Sequence, residues 1–195
     1  MTLLIPYASL ESTPWMNGGG STTQIAIAPP GAGVERFDWR ISLACIAKDG
    51  PFSRFEGVDR TLALVDGPGM ILDIDGDSRF LLCDEDPVLE FAGESRVVAT
   101  LAGAPGIGMN VMTRRARCHH RLGRRRLSGI SDFAPRGDVT VLFLAEGDSL
   151  AVRSDAERIG LVRYDAVLFD TSTVWTLEAL AATVFVIDIF INHPD

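Results

Sequence analysis

The sequence predicts an all-β protein, a sandwich or barrel of many short strands. Three observations carry that expectation. Apolar and polar residues alternate in short runs along most of the chain. Turn signals separate the runs: Asp49-Gly50-Pro51, Asp66-Gly67-Pro68-Gly69, Asp75-Gly76-Asp77 and Glu146-Gly147-Asp148. Sustained helical periodicity is missing, and only short turns around residues 9–13 and 177–181 are candidates for helix.

In chain order, the first expected strand is 23–28, where Gln24-Ile25-Ala26-Ile27-Ala28 alternates and stops at Pro29-Pro30. In the next, 37–46, Asp38, Arg40, Ser42 and Ala44 share one face, and Trp39, Ile41, Leu43 and Cys45 the other. Strands 60–66 and 69–74 flank an Asp-Gly turn, which predicts that they pair as a hairpin. Strands 78–82, 88–91, 97–101 and 109–116 follow, the last placing Asn110, Met112 and Arg114 on one face. The remaining expectations are 121–127, 139–145, 149–154, 161–169 and 183–191, with β-branched and aromatic residues concentrated in 139–145 and 183–191.

An internal echo organises these strands. "TLALVDGPGMIL" from Thr61 and "VLFLAEGDSLAV" from Val141 share the shape hhhhxxGxhhh, which resembles the central hairpin of cupin barrels. The expected architecture is therefore a double-stranded β-helix of the RmlC-like cupin type, with two barrel lobes in one chain, a bicupin. Residues 1–127 would form the N-terminal lobe with the candidate pocket, and 128–195 a smaller cupin-like lobe.

Composition excludes several function classes. The chain has 195 residues and a formal net charge of −8. Arg114 to Arg126 carries seven arginines and no acid, leaving 11 basic against 26 acidic residues elsewhere, a charge of −15. That field repels nucleic acid, so none is expected as a partner. No apolar run is long enough to span a bilayer, so no membrane partner is expected either. Cys45, Cys83 and Cys118 are odd in number and lack metal spacing, which fits a reduced cytoplasmic compartment. "STPWMNGGGSTTQIAIAPP", from Ser12, looks like a phosphate loop but has no lysine after Gly20, and a strand rather than a helix follows.

The cupin metal motif, G-x5-H-x-H-x3-4-E-x6-G, can be counted back from Gly67. Arg60 then takes the acid position, and Ser53 with Phe55, or Arg54 with Glu56, takes the histidine positions. Arginine has no lone pair for a cation and its charge opposes one. No metal or other cofactor is expected there. His119 and His120 are adjacent and so point to opposite faces, Cys118 and His120 could share a face, and His193 is near the end. Arginine in a barrel mouth suits a carboxylate instead. Arg40 and Ser42 either face water or line the barrel interior near Arg60. On the second reading, Asn110 and Arg114 converge with them on a small polyanion. Asp59, next to Arg60, is the nearest acid and is expected to pair with it.

Three segments together, "PWMNGGGSTTQIA", "FDWRISLACIAKDGPFSRFEGVDRTLALVDGPGMIL" and "MNVMTRR", resemble the HutD/Ves family. Its pattern is Pro-Trp-Lys-Asn-Gly-Gly-Gly-x-Thr, then Trp-Arg-x-Ser, Gly-Pro-Phe-Ser-x-Phe-x-Gly-x-Asp-Arg and Asp-x-Asn-x-Met-x-Arg. The match is close from Pro14 to Arg114 and loose beyond. Met16 stands where the family has lysine, and Gly108 where it has aspartate. The resemblance implies a metal-free double cupin of the bacterial cytoplasm that binds a small anionic metabolite. It further implies a regulatory role in histidine utilisation, with N-formylglutamate as the named ligand. The candidate ligand-binding residues are Trp15, Asn17, Gly19, Arg40, Ser42, Ser53, Arg60, Asn110 and Arg114. A binding protein is favoured over the alternatives, a metal-independent cupin enzyme acting on a carboxylated metabolite or an interaction module with a vestigial pocket. A homodimer stays open.

Overall fold

The computed structural model describes residues 2–169 and 173–192. It is all-β apart from one 3-10 turn, Tyr7–Ser9, among the described residues. No helix there is long and apolar enough to cross a membrane. The strands are β1 (Thr2–Ile5), β2 (Ser12–Pro14), β3 (Gly20–Ala28), β4 (Trp39–Ile46), β5 (Gly50–Pro51), β6 (Val58–Asp66), β7 (Met70–Ile74), β8 (Ser78–Leu82) and β9 (Val88–Ala92). They continue as β10 (Val97–Leu101), β11 (Gly106–Arg114), β12 (Cys118–Phe133), β13 (Val139–Glu146), β14 (Leu150–Arg153), β15 (Arg158–Leu161), β16 (Ala166–Phe169) and β17 (Trp175–Ile191).

Contacts divide the chain into two compact units, Glu11–His119 and Met1–Leu10 with His120–Asp195. These bounds differ from a split after residue 127: β1 pairs antiparallel with β16 and joins the second unit's sheet, and β12, which begins at Cys118, pairs with β17 of the same sheet.

The Glu11–His119 unit holds a six-stranded antiparallel sheet, β2-β3-β4-β11-β6-β9, and a four-stranded one, β5-β10-β7-β8. Ala44, Ile46, Leu62 and Leu64 of the larger sheet pack against Met70, Leu72, Leu82, Val97 and Ala99 of the smaller. This arrangement corrects the expected hairpin. β6 pairs with β11 and β9, whereas β7 pairs with β10 and β8. The Asp66–Gly69 turn is a crossover between sheets. Pairing β6 with β7 would set their apolar residues side by side on one face; the crossover sets them opposite each other, so both are buried.

The other unit is one curled, barrel-like sheet in the order β1-β16-β13-β17-β14-β15, with β12 also on β17. Strand β17 is long enough to pair with β14 through Thr176–Glu178 and with β13 through Thr183–Ile189. Inward residues from β12 to β17 form one core, including Phe133, Leu142, Val152, Phe169, Trp175 and Val184. Three further expectations are corrected here. Residues 177–181 are strand, not a turn, and 9–13 is split between the 3-10 turn and β2. Residues 161–169 are two strands, because Tyr164 has φ 74° and Asp165 Oδ2 accepts the Val162 N–H, closing a turn between them.

Candidate functional site

Strand pairing brings the predicted polar residues together. In the register, Met112 of β11 lies opposite Arg40 of β4 on one side and Arg60 of β6 on the other. Directly opposite residues in an antiparallel sheet project to the same face. Asn110 lies in the same way opposite Ser42, and Ser42 opposite Gln24 of β3. Ala44 and Leu62 of this face continue into the apolar core. Arg40 and Ser42 therefore line the interior, as one of the two sequence readings required.

They border a cavity of about 690 Å³. Of the expected residues, Trp15, Asn17, Arg40, Ser42, Ser53, Arg60 and Asn110 line it. Gly19 and Arg114 do not. Arg114 instead donates through Nε to the Phe37 carbonyl (3.2 Å) and through its NH2 nitrogen to the Glu35 carbonyl (3.0 Å), tying down the loop before β4.

Arg60 is 5% exposed. Its NH1 donates to the Ser53 carbonyl at 2.9 Å and its NH2 to Asn110 Oδ1 at 2.7 Å. Its Nε is buried with no acceptor. The rings of Phe52, Phe55 and Phe91 stand 5.6, 5.6 and 4.9 Å from the guanidinium carbon, a stabilising arrangement for a cation. Burial, and then the charge of Arg40, lowers the Arg60 pKa to about 10. Arg40 is half-buried, its Nε 3.3 Å from Gln24 Oε1, and burial lowers its pKa too.

Neither guanidinium has a carboxylate partner among the described residues. Asp59 does not pair with Arg60 as expected: successive strand residues face opposite ways, and its carboxylate meets Arg115 Nε at 2.5 Å. Arg115 also meets Glu94 at 2.5 Å. The acid that does line the cavity, Glu11, is exposed. Two cations thus share one shielded wall, and a buried charge without a counter-ion is costly unless a ligand supplies it.

The glycines shape the rim. Gly18 has φ 65° and its N–H donates to the Trp15 carbonyl at 3.0 Å, closing a tight turn. Asn17 Oδ1 accepts the Gly19 N–H at 2.9 Å. A Cβ on Gly20 would lie 2.1 Å from the Cys45 carbonyl oxygen and 3.1 Å from Trp15. Trp15 Nε1 donates to Thr22 Oγ1 at 2.8 Å, holding the indole at the cavity edge. The triple glycine is therefore accounted for by a turn and a close approach of β3 to β4.

Sequence reading missed the phenylalanine cage and Gln24. Phe52 and Phe55 bracket Ser53-Arg54 in "GPFSRF", and that spacing was the available signal. Cys118 is buried, with its Sγ donating to the Asp38 carbonyl at 3.2 Å. Among the described residues no three His, Cys, Asp or Glu side chains are grouped for a metal; His193 lies outside them.

The HutD family profile matches residues 7–186. The chain belongs to the HutD family. Among relatives, this HutD chain is 34% identical over 157 residues to an uncharacterised 21.2 kDa protein of the hutC 3' region of Pseudomonas putida, covering 79% of each. It is 41% identical over 105 residues to protein Ves of Citrobacter koseri, where the match spans 53% of this chain and only about half (53%) of that relative's length. Among solved structures, a conserved protein of unknown function from Pseudomonas aeruginosa PAO1 superposes with TM-score 0.89 at 28% identity, covering 97% of this chain and 99% of that one. HutD from Pseudomonas fluorescens SBW25 superposes with TM-score 0.82 at 26% identity, covering 99% and 100%. Salicylate 1,2-dioxygenase from Pseudoaminobacter salicylatoxidans, at TM-score 0.62, 11% identity and coverage of 100% and 86%, shares the cupin-like fold alone.

Proposed function

We propose that this HutD chain binds a small carboxylated metabolite and has a regulatory role in histidine utilisation, with its two units as the lobes of a cytoplasmic bicupin. The observation that carries the reading is Arg60: a buried guanidinium with no carboxylate partner among the described residues, bordering a cavity. Arg60, with Arg40 beside it, grips the carboxylate; Ser42, Ser53, Asn17 and Asn110 are available to orient polar groups, and Trp15 bounds the mouth. Gly19 and Arg114 act indirectly, through the rim turn and the loop before β4. The hut-region relative in Pseudomonas putida and the HutD name of the Pseudomonas fluorescens structure support the pathway. N-formylglutamate is the candidate ligand. An exposed Glu11 as the cavity's acid favours binding over proton transfer.

Calorimetric titration of wild type and Arg60→Ala with N-formylglutamate, glutamate and urocanate tests this. Truncating one member of a shielded charge pair costs on the order of 2–5 kcal/mol, roughly 30-fold to several-thousand-fold in affinity. Wild type binding none of the three at millimolar concentration would remove the ligand class; equal binding by Arg60→Ala would remove the site.

A further inference from the structure

The cavity's lining combines two chemistries. Its wall carries Arg40, Arg60, Ser42 and Asn110, whereas Pro14, Trp15, Met16 and Val34 line it as well. Met16 is fully exposed and Val34 is 52% exposed. Single exposed apolar side chains are ordinary. Two that border one cavity, together with Pro14 and Trp15, give its lining an apolar share alongside the two cations. A cavity of about 690 Å³ is also the size that encloses drug-sized molecules, and a ligand of glutamate's size would leave much of it to water.

We propose that the ligand of this chain is an acid with an apolar or aromatic tail, its carboxylate on Arg60 and its tail lying over Trp15, Met16 and Val34. This rests on the carboxylate reading of Arg60 and puts a bulkier acyl group in place of the formyl group of N-formylglutamate. An N-acylated amino acid with a bulky acyl group has the required chemistry. Covering apolar surface contributes about a factor of four in affinity per buried methylene, so an aryl group in place of a hydrogen gains on the order of tenfold or more.

The test is competition calorimetry with N-formylglutamate and N-benzoylglutamate, which share both carboxylates and differ in the acyl group. The readout is the ratio of their affinities in wild type and in Met16→Lys, a substitution at a fully exposed side chain. The expected result is at least tenfold preference for the benzoyl compound in wild type, falling to within threefold in Met16→Lys. Equal or weaker binding of the benzoyl compound, with the formyl compound bound, overturns the tail and leaves the carboxylate site standing. A benzoyl preference unchanged in Met16→Lys overturns the placement of the tail. Binding of neither compound overturns the carboxylate reading on which the proposal rests.

Discussion

Arg60 and Asn110 meet across two neighbouring strands, the guanidinium NH2 donating to the amide Oδ1 at 2.7 Å. The amide orients the guanidinium without neutralising it. Asn110→Asp would place a carboxylate in nearly the same volume and turn the contact into an internal ion pair. The expected outcome is a loss of at least tenfold in affinity for carboxylate ligands, with an unchanged or raised melting temperature without ligand. Ligand binding at wild-type strength in this variant would show that Arg60's charge is not what the site uses.

Ligand affinity should respond to alkaline pH. The folded-state pKa of Arg60 is lowered to about 10 from an ordinary 12.5. Between those values the unfolded chain holds the proton that the folded chain has released, so this group makes stability rise with pH in that window. Below it, Arg60 is charged at a cost in stability, and that charge is what binds. Affinity is therefore expected to be level from pH 6 to 9 and to fall as pH rises through about 10. A level profile to pH 11, followed by Trp fluorescence titration, would contradict the assignment.

The rim glycines are separable by denaturation. Gly20→Ala drives a methyl into the Cys45 carbonyl, so a cost at or above the top of the usual ~1–3 kcal/mol for overpacking is expected. Gly18 meets nothing within 4 Å; Gly18→Ala is charged only for its left-handed backbone, roughly 1–2 kcal/mol. Gly18→Asn should cost less still, since asparagine tolerates that conformation. Urea melts that reversed this order would show that the loop, and not the sheet contact, sets the requirement.

The sequence made the strands legible because alternation is a local property. It also made the convergence of Arg40, Ser42, Arg60 and Asn110 legible, since period-two faces on neighbouring strands meet once the strands pair. Pairing itself is not local. The run around Asp66-Gly67 reads alike whether β6 and β7 share a sheet or face each other across a core, and only Leu62 and Leu64 packing against Met70 and Leu72 decides it. The cage around Arg60 was hidden for the same reason: Phe91 comes from β9, which reaches Arg60 through its pairing with β6.

Thiol labelling offers an independent check on the first unit. Burial pushes the Cys118 thiol up to about 11, while Cys45 is exposed. An acid with a raised folded pKa stays protonated in the folded chain, so its contribution to stability falls as pH rises from 9 towards 11. At pH 8 the thiolate fraction of Cys118 is on the order of one in a thousand. Cys45 should therefore react with a thiol reagent in the native protein and Cys118 only on unfolding, as read by mass spectrometry of the labelled peptides. Labelling of Cys118 at the rate of Cys45 would mean that the 114–118 turn opens readily.

The pairing of β1 with β16 has a consequence for biosynthesis. All strands of the unit built on Glu11–His119 are encoded within one uninterrupted stretch, so a chain emerging from the ribosome can complete that unit first. The four residues of β1 leave the ribosome before the other described strands yet wait long for their partner, which begins only at Ala166. Until then they are an unpaired apolar strand, Thr-Leu-Leu-Ile, open to pairing with other nascent chains. Slow translation after residue 119 would lengthen that exposure, while a chain synthesised and released quickly would close it.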